Sequence, residues 1–192
     1  MELVYVDIHT HAPREGVLSP TMAGVHPWDA DKGLELPSLD ECDIIGETGL
    51  DFACEATREA QMSLFERHLR EAELRHKPVV LHVVHSFEEV ISVLRKYELE
   101  GVVFHGFIGS QQQAARCIER GYCLSFGHRS LRSPRTREVI KWMPVGSLFC
   151  ETDDQPRPSI EQIYDEVAVL RGISREELAA RIYDNYVKMF ER

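Results

Sequence analysis

The sequence predicts an α/β fold, a TIM-like (β/α) barrel that is short or incomplete, with about seven parallel strands instead of eight. Three observations predict it. Short apolar runs recur at residues 3–8, 21–25, 42–46, 79–84, 102–107, 122–126 and 147–150. Several are apolar at nearly every position, which suits parallel strands covered on both faces. Amphipathic segments lie between the runs, and strands alternating with helices imply a parallel sheet. An open doubly wound sheet is the runner-up, weakened because no glycine-rich phosphate fingerprint follows the first run.

The helical segments carry their own signals. After the third run, Met62, Phe65, Leu69 and Ala72 mark one apolar face, as do Val90, Val93, Leu94 and Tyr97 after the fourth. Ser86 with Glu89, Ser110 with Gln113, Ser159 with Gln162 and Ser174 with Glu177 fit the S-x-x-E/Q capping box. Ile173 and Leu178 occupy the two staple positions around the last cap. Gly101, Gly121 and Gly172 fall where helices end, and Pro134 after Ser133 suits a first helical turn.

A chain of 192 residues has room for one full core, and no linker or repeat divides it, so a single domain over 1–192 is expected. No apolar run approaches the roughly 20 residues of a membrane span. The N-terminus lacks a basic segment ahead of its apolar run, so it reads as a buried strand and not as a signal peptide. A cytoplasmic protein is expected. The five cysteines, without CxxC spacing, read as small apolar residues and not as a disulfide framework or zinc knuckle. The net charge of -10 argues against avid, non-specific binding of nucleic acid. It leaves room for a small phosphorylated substrate or a short stretch of DNA, because bound cations offset clustered carboxylates.

The chemistry lies at the strand ends. His9 and His11 close the first run two residues apart, which puts both imidazoles on one side. Glu47 follows the third run, His82 lies in the fourth, His105 in the fifth, and Asp153 follows the last. In a barrel these C-terminal ends converge on one mouth. Nitrogen and carboxylate donors together suit Zn, Mn, Fe or Mg. His68 and His76 lie in a charged helical stretch and read as solvent-facing. His26, His85 and His128 also follow strands and are candidates to stand beside the metal or face the substrate.

Asp7-Ile8-His9-Thr10-His11, Gly24-Val25-His26-Pro27-Trp28, Ile45-Gly46-Glu47-Thr48-Gly49-Leu50-Asp51, Phe104-His105-Gly106-Phe107 and Glu151-Thr152-Asp153 form an ordered set. It resembles the TatD-type deoxyribonuclease family of the amidohydrolase superfamily. Lys77-Pro78-Val79-Val80-Leu81-His82 and Asp184-Asn185 resemble its fourth-strand and C-terminal motifs. The resemblance implies a binuclear site. His9, His11 and Asp153 would hold one divalent ion, His82 and His105 the other, and Glu47 would bridge. Asp153 and Glu47 would be catalytic, and a phosphodiester, such as DNA, would be cleaved by activated water. The ligands alone would serve an amide, lactone or ester of a small molecule equally well. A non-catalytic binding module that keeps the fold is the third reading.

The chain departs from that pattern in three places. Only residues 12–24 separate the first run from Val25, where the family usually inserts more chain; the mouth should be more open there, with a flank that a partner subunit would cover. Val83, Val84 and His85 follow His82 where the family commonly has an Arg-Asp pair, so an arginine suited to phosphate is missing. Asp154 follows Asp153 where a small residue is usual, and is a candidate to tune the site. Arg129, Arg132, Arg135 and Arg137 form the densest positive cluster. Arg129 or Arg132 is a candidate phosphate contact, with a solvated helix start as the plain alternative.

Overall fold

The computed structural model describes residues 3–155 and 157–191. In chain order the elements are β1 (Tyr5–Val6), β2 (Val17–Leu18), β3 (Met22–Ala23), β4 (Ile44–Asp51), α1 (Arg58–Arg75), β5 (Val79–Val84), α2 (Phe87–Leu94) and β6 (Val102–Phe104). They continue with α3 (Gln111–Ile118), β7 (Cys123–Phe126), α4 (His128–Leu131), α5 (Pro134–Trp142), β8 (Leu148–Cys150), α6 (Ile160–Arg171) and α7 (Arg175–Phe190). Each of the seven apolar runs carries a strand. The additional strand, β2, is two residues long and too short for any periodicity to announce.

The chain forms two compact units, Thr21–Phe104 and the pair Met1–Pro20 with His105–Arg192. In Thr21–Phe104, β3, β4, β5 and β6 lie side by side, all parallel. β4 runs on to Asp51, past the expected end at residue 46. Its glycines allow this. Gly49 stands in register with His82 at φ 136°, and a Cβ there would fall 2.1 Å from the His82 carbonyl oxygen. Only glycine admits that approach at that φ. Ser86 does not cap α2; its hydroxyl donates to the Leu50 carbonyl at 2.6 Å and ties the end of β5 to β4.

Helix α1 packs through Leu64, Phe65, Leu69 and Ala72. His68 belongs to the same face and is fully buried, which corrects its reading as solvent-facing; His76, at the left-handed C-cap, is exposed. The neighbouring charges hid the helical spacing of His68 from Phe65 and Ala72. Its Nδ1 lies 2.9 Å from the Leu64 carbonyl, and its Nε2 accepts from the Val25 amide at 3.0 Å. The ring is therefore neutral, with the proton on Nδ1. Burial lowers its pKa from 6.5 to about 4. The unfolded ring takes a proton near 6.5 and the folded ring only near 4, so its contribution is complete above the first value and lost as pH falls towards the second. Between about pH 7 and pH 5 the stability is expected to drop by roughly 2 kcal/mol more in the native chain than in His68→Gln, read from urea midpoints.

In the other unit β1 pairs with β2 and β7 with β8, both parallel. Ser110 and Gln113 form the expected capping box on α3, and the Gln162 side chain accepts from the Ser159 amide at the start of α6. Ser174 caps α7, Pro134 opens α5, and Gly172 closes α6 at φ 67°. The Tyr164 hydroxyl donates to the Val6 carbonyl at 2.9 Å and so ties α6 to β1. Cys42, Cys117, Cys123 and Cys150 are buried and Cys54 half-buried, all as free thiols. Burial pushes Cys117 and Cys123 up to about 12, which makes them packing residues and not nucleophiles. Among the described residues no helix is long and apolar enough to cross a membrane.

Candidate metal centre

In the unit that contains both chain ends, backbone hydrogen bonds bring His9, His11 and Asp153 together. The Asp153 amide donates to the His9 carbonyl at 2.9 Å, and the His11 amide donates to the Asp153 carbonyl at 3.0 Å. This bridge lies between Thr10 and Asp153, just beyond the strands. Asp153 takes a left-handed φ of 56°, a conformation short polar side chains tolerate, and the chain turns there. Beneath the bridge the buried Asp7 carboxylate accepts from the Thr152 amide at 2.9 Å and the Thr152 hydroxyl at 2.6 Å. Burial pushes the Asp7 carboxyl up to about 6, against those two hydrogen bonds.

His9 is wholly buried, His11 is 55% exposed and Asp153 is 20% exposed, so the set opens from core to solvent. The Nε2 atoms of His9 and His11 lie 3.3 and 3.5 Å from the same oxygen, Asp153 Oδ1. Two donors about 2.1 Å from one ion at a tetrahedral angle stand roughly 3.4 Å apart. The spacing fits a shared cation better than a direct N–H···O bond, which centres on about 2.9 Å. His105 lies against His9 with ring centroids 4.3 Å apart and the rings tilted by 51°. Its Nδ1 lies 3.4 Å from Glu151 Oε1, a buried carboxylate that also accepts from the Ser125 hydroxyl. His105, Glu151 and Asp153 also place one donor atom each within 4.8 Å of one another.

The unit Thr21–Phe104 holds a second donor set. His26 Nε2 and His82 Nδ1 lie 3.5 and 3.6 Å from Glu47 Oε2. The other nitrogens separate the two histidines. His82 Nε2 is 3.0 Å from Asp51 Oδ2, an ordinary hydrogen bond that keeps its proton there and turns the Nδ1 lone pair towards Glu47. A carboxylate behind a ligand histidine orients the ring and raises its basicity. Burial raises the Asp51 carboxyl, but the bonds from Trp28 and His82 outweigh it and hold the pKa below the usual value. His26 Nδ1 instead accepts from the Trp28 amide at 3.2 Å, which leaves the proton of a neutral ring on Nε2. His82 thus turns a lone pair towards Glu47, and His26 an N–H.

Other candidates lie further out. His85 is exposed at φ 52° after β5, and His128 starts α4 half-buried. Arg129 pairs with Asp154 at 3.4 Å, both exposed, while Arg132 is exposed at the end of α4. Arg137 is held by Glu166 and the Leu131 carbonyl. Sequence reasoning assigned no role to Asp51, Glu151 or Trp28. The signal lay in spacing: Asp51 is four residues from Glu47 on one strand, and Glu151 two from Asp153 on a short extended stretch, so each pair shares a side.

The family model for TatD related DNase matches residues 7–191. The chain belongs to the TatD related DNase family. This TatD-family chain is 31% identical over 198 residues to the 3'-5' ssDNA/RNA exonuclease TatD of Citrobacter rodentium, covering 88% of this chain and 75% of that protein. It is 26% identical over 190 residues to the metal-dependent hydrolase YcfH of Escherichia coli, covering 87% and 72%. A crystal structure of a TatD family hydrolase from Entamoeba histolytica superposes with a TM-score of 0.79 at 20% identity, covering 91% of this chain and 75% of that one. The α/β, TIM-like fold class is thereby shown. The chain is a metal-dependent hydrolase with a candidate metal-binding cluster.

Proposed function

We propose that this TatD-family chain hydrolyses phosphodiesters, DNA ends among them, with two divalent cations. Two observations support it: nitrogens of His9, His11 and His82 stand 3.3 to 3.6 Å from a carboxylate oxygen, and the similar Citrobacter rodentium protein is a 3'-5' ssDNA/RNA exonuclease. The proposal gives His9, His11 and Asp153 to one cation, His82 and His105 to the other, and Glu47 to both, as the family resemblance implies. Bound divalent cations lower the pKa of water towards neutrality and polarise a phosphoryl oxygen. The side chains supply the rest. Asp153, partly exposed beside two imidazoles, accepts the proton of the attacking water and returns it to the departing oxygen. His26, with its proton on Nε2, donates to a substrate oxygen. Asp51 holds His82 in a single tautomer, so that ring does not have to reorient during the reaction.

One observation favours a second reading, hydrolysis of a small amide or lactone. A cavity of about 510 Å³ opens beside His11 and Asp153, lined also by Ala12, Arg14, Asp154 and Ile160. Arg14 is ion-paired with Glu161, and Asp154 with Arg129, so its charges are already engaged within the protein. A panel of a dinucleotide, a nucleotide 4-nitrophenyl ester, a lactone and an amide, each with Mn, Mg or Zn, separates the two. Turnover of the nucleotide esters is expected. Turnover of the lactone or amide alone establishes the second reading. Less than about one equivalent of metal after loading at neutral pH returns the non-catalytic module.

A further inference from the structure

Trp28 is 59% exposed, although it is the largest apolar side chain of its loop. Single exposed apolar residues are commonplace, but this one is held at both ends. Its amide donates to His26 Nδ1 at 3.2 Å, and its indole Nε1 donates to Asp51 Oδ2 at 2.7 Å. Pro27 opens the 3-10 turn Pro27–Lys32, and Gly33 closes it in the left-handed region. The indole forms T-shaped pairs with His26 at 4.6 Å and His82 at 5.8 Å, with interplanar angles of 72° and 80°. Neither imidazole lies parallel to the indole, and the polar end is satisfied. More than half of the side chain stays open to solvent, beside the imidazole whose Nε2 faces Glu47.

We propose that the open face of Trp28 is a stacking platform for a nucleobase of the substrate, next to the group being hydrolysed. Indole and imidazole play separate parts. The indole takes the flat, neutral base, and His26 donates to oxygen near the ester. Stacking suits this acidic chain, because it gains affinity without arginine and accepts any base. The chain carries a net charge of -10, and Val83 and Val84 follow His82 where an arginine could have gripped a phosphate. The inference rests on the phosphodiester reading and names the part of the substrate that this unit recognises.

The test compares two esters that release the same 4-nitrophenolate, one with thymidine and one with methyl on the retained phosphate. In Trp28→Ala the KM for the thymidine ester is expected to rise about 5- to 100-fold more than that for the methyl ester. Trp28→Phe, which keeps a flat face but not the N–H, should recover most of the difference. An equal change for both esters would show that Trp28 acts only through Asp51 and His82, and overturns the platform. Trp28 is one of two tryptophans, so it is the sole source of indole emission in Trp142→Phe. Thymidine 5'-monophosphate should quench that emission in the metal-loaded protein well beyond inorganic phosphate. Equal quenching overturns stacking. If the native enzyme hydrolyses neither ester, the phosphodiester reading falls, and the emission result alone decides the platform.

Discussion

Replacing Glu47 with glutamine is expected to lower turnover of every substrate by about a hundred-fold or more, because even partners one step behind a metal ligand cost ~10–100-fold. The side chain is 9% exposed, with Oε2 3.5 Å from His26 Nε2 and 3.6 Å from His82 Nδ1. Glutamine keeps the shape but removes the charge that two nitrogens and a cation require around one oxygen. Metal content per chain should fall with activity. The urea midpoint without metal should move by less than about 0.5 kcal/mol, since the change is isosteric. A variant that keeps full metal and full turnover would remove Glu47 from the centre.

Gly49→Ala is expected to be the most damaging small change in the strands. The added methyl would lie 2.1 Å from the His82 carbonyl oxygen, and φ 136° is closed to residues with a Cβ. Strain and overpacking together cost roughly 4 kcal/mol, and β4 would have to move away from β5. For a chain of this size that lowers Tm by about 10 °C. Because Glu47 and Asp51 sit on β4 and His82 on β5, metal affinity should fall in the fraction that still folds. A calorimetric scan and a metal titration measure the two effects separately. An unchanged Tm would mean that the strands tolerate a spacing wider than the one described.

The strands and most helix starts were legible because their causes are local. Ser110 and Gln113, three residues apart, supply each other's hydrogen bonds, and the run at residues 79–84 is β5 to the residue. Ser86 has the same local pattern, but its hydroxyl is taken by Leu50, 36 residues earlier, and no spacing rule sees that. His68 had a readable helical position, yet its flanking charges pointed the other way. The outcome was decided by the Val25 amide, which needs an acceptor in the core.

What the sequence determined by itself was the order of the strands and helices and the donors at the strand ends, since alternation and capping act over a few residues. The two-residue spacing of His9 and His11 pointed to a shared side, and the Thr10–Asp153 bridge beyond β1 keeps both beside Asp153. Only the tertiary structure decided which nitrogen of each histidine carries the proton. That depends on what stands behind the ring: Asp51 behind His82, and the Trp28 amide behind His26. An imidazole that turns a lone pair to Glu47 and one that turns an N–H to it are the same residue in a sequence. They differ by one hydrogen bond, for His82 to a carboxylate 31 positions away.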